Sequence, residues 1–351
     1  MVFSSNDVRL SVREWIGVAA VLVAAVIFTG GIWRRIEPFD PGADYRMPYD
    51  LAEDYWLFNR YCGEMLDRDR VLVFGDSVVW GQYVEHDRTL THFLNRQAGS
   101  VRFANAGLDG AHPVALDGLL EHHCDMNHRD VVLHLNLLWL TSPQSDLQDG
   151  QGARLNHPRL IPQFVRRPPA YRAPLSDRIG VVISRALPSL AWSRHVQMAY
   201  FDNADLAGWS VSRPYTNPLD ALTLRLPDPS EHRSRAAVPW SVRGRTQPDV
   251  PWVALDESVQ WAAFQHLVAR LHARGNRVTV IVGPLNEHML VPGDVQTYQG
   301  MVAEAERWLR ERGIASHVPS TLPSDLYADL SHPLADGYAL LAEQLWARGM
   351  R

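Results

Sequence analysis

The chain has 351 residues, of which 46% are hydrophobic and 21% are charged. These globular proportions argue against wholesale disorder, a collagen-like repeat and a multi-span transporter, and the length suits one large domain with insertions or two domains. The net charge of -5 argues against a general nucleic-acid binder, which carries a basic balance. All 34 basic residues are arginine, so the sequence excludes any mechanism that depends on a lysine.

An apolar stretch follows an N-terminal tail at residues 1–14. Residues 15–33 carry no charge, begin and end with tryptophan, and are followed by Arg34 and Arg35. A helix needs about 20 apolar residues to cross the hydrocarbon layer, and tryptophan favours the two interfaces. A signal peptide would have a shorter apolar core and a small-residue cleavage site. The stretch therefore predicts an uncleaved single-span anchor, with a signal peptide or a buried core helix as the alternatives.

The charges around this stretch leave its orientation open. Arg9 and Arg13 on one side are balanced by Arg34 and Arg35 on the other, so the positive-inside rule does not decide between the two orientations. Long domains can be translocated regardless of their charge. An extracytoplasmic body is therefore permitted.

Strand and helix patterns alternate after a tether at residues 34–50. Buried strands are predicted at residues 71–74, 101–104, 131–138 and 278–282. Helices are predicted at residues 51–66, 90–97, 113–126, 257–273, 298–312 and 338–346. This alternation predicts an α/β domain, formed by residues 51–140 and 252–351, with a parallel sheet covered by helices on both faces. Ligands bind such sheets at the carboxyl ends of the strands.

The alternation is interrupted at residues 141–251. Residues 151–250 hold 12 of the 23 prolines and 14 arginines against 7 acidic residues, which makes this window +7 by count. A helix is predicted at residues 177–200, and Pro188 is expected to break or kink it. We interpret residues 141–251 as an inserted Arg/Pro-rich cap over the functional edge of the sheet. The alternative is a proline-stiffened surface excursion with solvated arginines.

Two short motifs carry residues suited to nucleophilic catalysis. Gly75-Asp76-Ser77 follows the first predicted strand, which places the Ser77 hydroxyl at the carboxyl edge of the sheet. Asp329 and His332 are three residues apart in front of the last predicted helix. A serine nucleophile needs a base, and the base needs an acid that fixes its tautomer and stabilises the imidazolium. The alternatives are an ordinary turn at Ser77, and a turn cap beside an exposed histidine at the second motif.

Together these motifs resemble those of the SGNH, or GDSL-type, hydrolase family. The resemblance covers residues 69–140 and 255–350. It implies a flavodoxin-like three-layer α/β/α fold and a catalytic triad of Ser77, His332 and Asp329.

The resemblance also implies an oxyanion hole. Its donors would be the backbone N–H groups of Ser77 and Gly107 and the side-chain amide of Asn136. The block around Asn136 departs from the Gly-x-Asn-Asp pattern of the family, because His134 and Leu137 replace its first and last members. Since a missing oxyanion donor costs about a hundredfold or more in rate, this assignment matters for the mechanism.

Other polar and aromatic residues allow more than one interpretation. Cys62 and Cys124 are predicted to form one disulfide or to remain two buried thiols. Trp80 and Trp139 would stack on a sugar or pack in the core. The remaining candidates are a zinc site or a helix end at His122, His123, Cys124 and His128, and cleft or turn residues at Asn286, Glu287 and His288. No cofactor or metal is expected.

The anchor, the tether and the insertion resemble the membrane-anchored branch of the family, such as proteins of alginate O-acetylation or teichoic-acid D-alanylation. This resemblance implies an acylated glycan or lipid substrate and a multi-span membrane acyltransferase partner. The expected function is that of a membrane-anchored serine acyl esterase or O-acyltransferase acting on an O-acetylated envelope polysaccharide outside the cytoplasm. The alternatives are a noncatalytic envelope-assembly binding module and an intracellular membrane-bound lipid esterase.

Overall fold

The computed structural model describes residues 10–151, 155–228, 237–244 and 250–350. Within these ranges the strands are β1 (Val71–Gly75), β2 (Phe103–Gly107), β3 (Asp130–Leu135), β4 (Arg277–Val282) and β5 (Ala315–His317). The α-helices are α1 (Val12–Ile36), α2 (Tyr55–Asp67), α3 (Ser77–Trp80), α4 (Leu90–Ala98), α5 (Pro113–His122), α6 (Leu175–Ala186), α7 (Pro188–Tyr200), α8 (Leu206–Ser212), α9 (Pro218–Ala221), α10 (Val259–Ala273), α11 (Pro292–Glu311) and α12 (Ala335–Ala347).

The strands form one five-stranded parallel sheet in the order β2-β1-β3-β4-β5. This confirms the predicted α/β class with a parallel sheet. The register pairs Gly75 with Gly107, and Leu135 with Val282. The last residues of β1 and β2, and those of β3 and β4, therefore lie side by side at the carboxyl edge of the sheet.

Two differences between the observed and the predicted strands have different physical reasons. The short edge strand β5 was not predicted, because its residues Ala315–His317 form no buried apolar run. The strand β3 ends at Leu135 rather than residue 138. The Asn136 side chain accepts a hydrogen bond from the Leu138 N–H at 3.0 Å and so caps a 3-10 turn over Leu137–Leu140. Local capping therefore ends this strand before its apolar run is complete.

Two helix pairs pack along the sheet. The helices α4 and α12 contact each other, and α5 contacts α10. Leu94 of α4 and Leu341 of α12 are fully buried in one hydrophobic cluster with Val73 of β1. Since burying a leucine side chain is worth about 1.5–3 kcal/mol, this cluster fixes β1 and the turn that follows it.

The chain divides into two compact units. One unit comprises residues 1–40 and 182–226, and the other comprises residues 41–181 and 227–351, including the whole sheet. The insertion predicted at residues 141–251 is thus divided between the units, and its residues 152–154, 229–236 and 245–249 lie outside the described ranges. The predicted tether at residues 34–50 is also divided, after Asp40.

The first unit contains the apolar N-terminal helix. Among the described residues, α1 is the helix that is long and apolar enough to cross a membrane. It extends over Val12–Ile36, beyond the predicted residues 15–33, and residues 1–9 of the predicted tail lie outside the described ranges. The helix predicted at residues 177–200 is broken as expected, because α6 ends at Ala186 and Pro188 begins α7.

Candidate active site

The predicted nucleophile lies at a sharp turn after β1. Every residue of β1 is buried, and Ser77 is the first residue of α3. The Asp76 side chain caps α3 by accepting a hydrogen bond from the Val78 N–H at 3.0 Å. Gly81 ends α3 with a φ of 91°, a left-handed conformation that favours glycine. The strand, the cap and the glycine together hold Ser77 at the carboxyl edge of the sheet.

The structure brings the three predicted triad residues together. The Ser77 Oγ lies 2.8 Å from the His332 Nε2, although 255 positions separate the two residues in the chain. The His332 Nδ1 lies 2.8 Å from the Asp329 Oδ1. That oxygen also accepts hydrogen bonds from the backbone N–H groups of Ser331 and His332, both at 3.0 Å. A nucleophile, a base and an orienting acid are therefore aligned in one chain of hydrogen bonds.

The charges around the base favour its protonated form. Burial alone would lower the pKa of His332, but the carboxylates of Asp329, Asp76 and Asp109 outweigh it and raise that pKa above its ordinary value. Burial alone would raise the pKa of Asp329, but the positive charge and hydrogen bond of His332 lower it. Asp329 is thus held as an anion beside His332, the position from which a carboxylate stabilises an imidazolium.

Asp76 holds the residues beside the serine. Its Oδ2 accepts hydrogen bonds from the Asn136 Nδ2 at 2.7 Å and from the Trp139 Nε1 at 2.9 Å. The His134 Nδ1 lies 3.7 Å from the Asp76 Oδ1. Burial alone would raise the pKa of Asp76, but the charges of His134 and His332 and the hydrogen bond from the Val78 N–H outweigh it and lower that pKa. An ionised Asp76 therefore fixes the Asn136 amide, which keeps its second N–H for another acceptor.

Gly107, the other predicted oxyanion donor, is placed differently. Its N–H donates a hydrogen bond to the Asn105 Oδ1 at 3.0 Å. A Cβ at Gly107 would lie 2.4 Å from the backbone nitrogen of Trp80, so glycine permits α3 to approach β2 closely. The N–H that the resemblance assigns to the oxyanion hole is thus engaged by a neighbouring side chain.

The carbonyl groups of the serine turn are held by three side chains that sequence reasoning missed. A four-residue helix cannot satisfy its own last carbonyls. The buried Arg46 donates from Nη1 to the carbonyls of Gly81 at 2.7 Å and Trp80 at 3.2 Å. The carbonyls of Val78 and Val79 accept from the Tyr338 hydroxyl and the Asn105 Nδ2, at 2.7 and 2.8 Å. The tether, β2 and α12 thus position the nucleophile jointly, and sequence spacing carries no signal for such contacts.

Asp109 and Tyr83 also border the base. The Tyr83 ring stands edge-to-face with the His332 ring at a centroid distance of 5.5 Å. The guanidinium of Arg243 lies 5.2 Å from the centroid of the Tyr83 ring, which brings one arginine of the predicted insertion near the base. Burial and the charge of Asp76 raise the pKa of Asp109, although the charge of His332 opposes them. The signal that could have found Asp109 is its place just after β2, at the carboxyl edge.

Asp109 provides a test of the charge balance around His332. The base works in its neutral form, so its raised pKa should place the acid limb of the kcat/KM profile above the pH expected for an unperturbed histidine. The change Asp109→Asn removes one negative charge facing His332 and should move this limb to lower pH. A pH–rate profile with a small acetyl ester measures the limb, and Asp125→Asn, at an exposed site, is the control. An unmoved limb would show that Asp109 does not act on His332.

Most of the other candidates serve the fold. Trp80 is buried, and its Nε1 donates to the Met47 carbonyl at 2.7 Å. Trp139 remains half-buried beside Asp76. The Asn286 Nδ2 donates to the Asp329 carbonyl at 3.2 Å, and His288 Nε2 lies 3.1 Å from the Leu322 carbonyl, so both residues fasten the loop of the base.

The other candidate features are the two cysteines, the predicted zinc cluster and a groove at the far edge of the sheet. Cys62 and Cys124 are free, buried thiols. Burial is the main cause that raises the pKa of Cys62, and the hydrogen bond and charge of Cys124 raise it further. Across the described ranges, no group of three or more His, Cys, Asp or Glu residues could hold a metal ion. A groove of about 630 Å³ lies at the amino edge of the sheet, lined in part by Arg102 and Asp130. The aligned triad, at the opposite edge, remains the better candidate site on chemical grounds.

No protein-family model matches the chain, and no curated protein matches its sequence.

Proposed function

We propose that the protein is an SGNH-type serine acyl esterase or O-acyltransferase, with a flavodoxin-like three-layer fold. The observation that carries this proposal is the pair of 2.8 Å contacts from Ser77 to His332 and from His332 to Asp329. The strand order 2-1-3-4-5 is the one found in flavodoxin-like sheets, which bind ligands at the carboxyl edge.

The reaction would proceed through an acyl-enzyme. His332 Nε2 takes the Ser77 hydroxyl proton while Oγ attacks the carbonyl carbon of an ester. Collapse of the tetrahedral intermediate breaks the ester bond, and His332 returns the proton to the departing alcohol. Water or a sugar hydroxyl then gives its proton to His332 and attacks the acyl carbon; the acyl–Oγ bond breaks, and His332 returns the proton to the Ser77 Oγ. The first acceptor makes the protein an esterase and the second makes it a transferase.

The oxyanion would be stabilised by the Ser77 N–H and by the second N–H of the Asn136 amide. Gly107 could contribute only by giving up its hydrogen bond to Asn105.

We further propose that α1 spans a membrane and that the catalytic unit acts outside the cytoplasm on an O-acetylated envelope polysaccharide. The catalytic unit is the unit of residues 41–181 and 227–351, which contains the sheet and the triad. The length and apolar composition of α1 support the span. The half-buried Trp139 and Arg243, both near the triad, are suited to a sugar ring and an anionic group. By resemblance, a multi-span membrane acyltransferase would be the partner.

Mass spectrometry of envelope polymers tests this substrate assignment. Cells that carry the Ser77→Ala variant are compared with cells that carry the unsubstituted protein. A gain of acetyl groups in the variant indicates an esterase, and a loss indicates a transferase. Unchanged acetylation rejects the polysaccharide assignment, and a cytoplasmic C-terminal topology reporter rejects the location.

A further inference from the structure

The helix α7 contacts α1 at the end of the apolar run. Gly30, one turn before Trp33, is the buried residue of α1. Most other side chains of the apolar run are exposed, among them Ile27, Phe28 and Ile32. The helix in contact with α1 is α7, and the Trp33 ring lies 5.7 Å from the Trp192 ring and 6.1 Å from the Tyr200 ring.

A buried polar cluster fixes this contact. Glu37, the residue that follows α1, is only 1% exposed. Its Oε1 accepts hydrogen bonds from the Trp33 Nε1 at 2.9 Å, the His195 Nε2 at 2.9 Å and the Tyr200 hydroxyl at 2.5 Å. Because an unpaired buried carboxylate is costly, the two donors on α7, His195 and Tyr200, hold the end of α1 against α7. The position along α1 at which α7 makes contact is therefore fixed by residues of this unit.

Apolar side chains on α6 and α7 remain uncovered near this contact. Val182, Ile183, Leu187 and Leu190 are each between 40% and 45% exposed. They surround the break at Pro188, and Arg185 lies among them on α6. Amphipathic helices with this combination of apolar and basic residues lie in the membrane interface, with the apolar face about 5–10 Å into the headgroup and acyl boundary.

We propose that the helical segment at residues 182–192 binds the lipid bilayer beside α1, as a second membrane contact in addition to the span. This inference rests on the proposed membrane span of α1. A helix packed at Trp33 lies at the end of that span, where lipid surrounds any side chain that protein does not cover. The apolar side chains of Ile183, Leu187 and Leu190 meet acyl chains, and Arg185 lies at the level of lipid phosphates. The occupant is a lipid surface rather than a second protein.

The test uses the full-length chain in vesicles of three parts phosphatidylcholine to one part phosphatidylglycerol. An environment-sensitive fluorophore is attached to Leu187→Cys, and quenching by lipids with a doxyl group on the acyl chain is compared with quenching by aqueous iodide. Ile27→Cys, within α1, is the reference for a lipid-exposed site, and Asp87→Cys, at an exposed site of the catalytic unit, is the aqueous reference. The unsubstituted chain, whose two cysteines are buried, measures background labelling.

We expect blue-shifted emission at position 187 and quenching by doxyl lipid similar to that at position 27. Water-like emission quenched only by iodide would overturn the proposal. Blue-shifted emission without doxyl quenching would also overturn it, because protein would then cover the segment. If position 27 is itself not quenched by doxyl lipid, the proposed membrane span fails, whereas quenching at 27 and not at 187 rejects only the second membrane contact. An unchanged circular-dichroism spectrum and thermal unfolding curve in each labelled variant show that the fold is intact.

Discussion

Replacing Ser77 with alanine is expected to reduce hydrolysis of a small acetyl ester to the background rate. The variant lacks the Oγ that lies 2.8 Å from His332 Nε2, so no acyl-enzyme can form. In serine hydrolases the removal of one triad member costs on the order of 10⁴- to 10⁶-fold in kcat. The measurement is steady-state hydrolysis of 4-nitrophenyl acetate, with Ser100→Ala, a serine at an exposed site, as the matched control.

Covalent labelling separates this result from a structural failure. The unsubstituted protein should react with a fluorophosphonate at Ser77, and the alanine variant should not react. The fold should survive, because alanine fits where serine is buried and only about 1 kcal/mol of hydrogen bonding is lost. A protein that hydrolyses no ester and resists the fluorophosphonate would favour the noncatalytic binding module. Hydrolysis that persists in the variant would remove Ser77 from the mechanism.

The change Asp76→Asn is expected to impair both stability and turnover. One carboxylate oxygen accepts from the Val78 N–H, and the other accepts from Asn136 and Trp139. An amide has one accepting oxygen, so in either orientation its NH₂ group faces a buried donor. An unsatisfied buried donor costs about 1–3 kcal/mol, and displacement of the Asn136 amide costs on the order of a hundredfold in kcat.

Chemical denaturation and steady-state kinetics measure the two effects of Asp76→Asn. Asp87→Asn makes the same chemical change at an exposed position and is expected to leave both quantities within error. The variant should also move the acid limb of the pH profile downward, because Asp76 is one of the charges that raise the pKa of His332. Full stability and full activity would show that Asp76 does not hold the serine turn and the amide in place.

Periodicity and capping patterns were sufficient for much of the fold. The α/β class, the parallel sheet and the break at Pro188 follow from patterns within single segments, and the structure confirms them. The edge strand β5 was missed because three partly exposed residues carry no apolar pattern. The division of residues 141–251 between two units was also missed, since compact units depend on long-range contacts rather than on composition.

The sequence by itself determined the candidate nucleophile at Ser77, the Asp329–His332 pair and the apolar helix, because each is a local pattern of residue types. Only the tertiary structure decided how these parts are held. It placed Arg46 under the serine turn and joined Asp76 to Asn136 across 60 positions. It also formed a hydrogen bond from the Gly107 N–H to the side chain of Asn105, two residues earlier. Sequence spacing alone does not predict this bond. Such hydrogen bonds form between buried donors and acceptors that become neighbours only when the strands and helices pack together. No single segment of the chain therefore predicts which pairs will form.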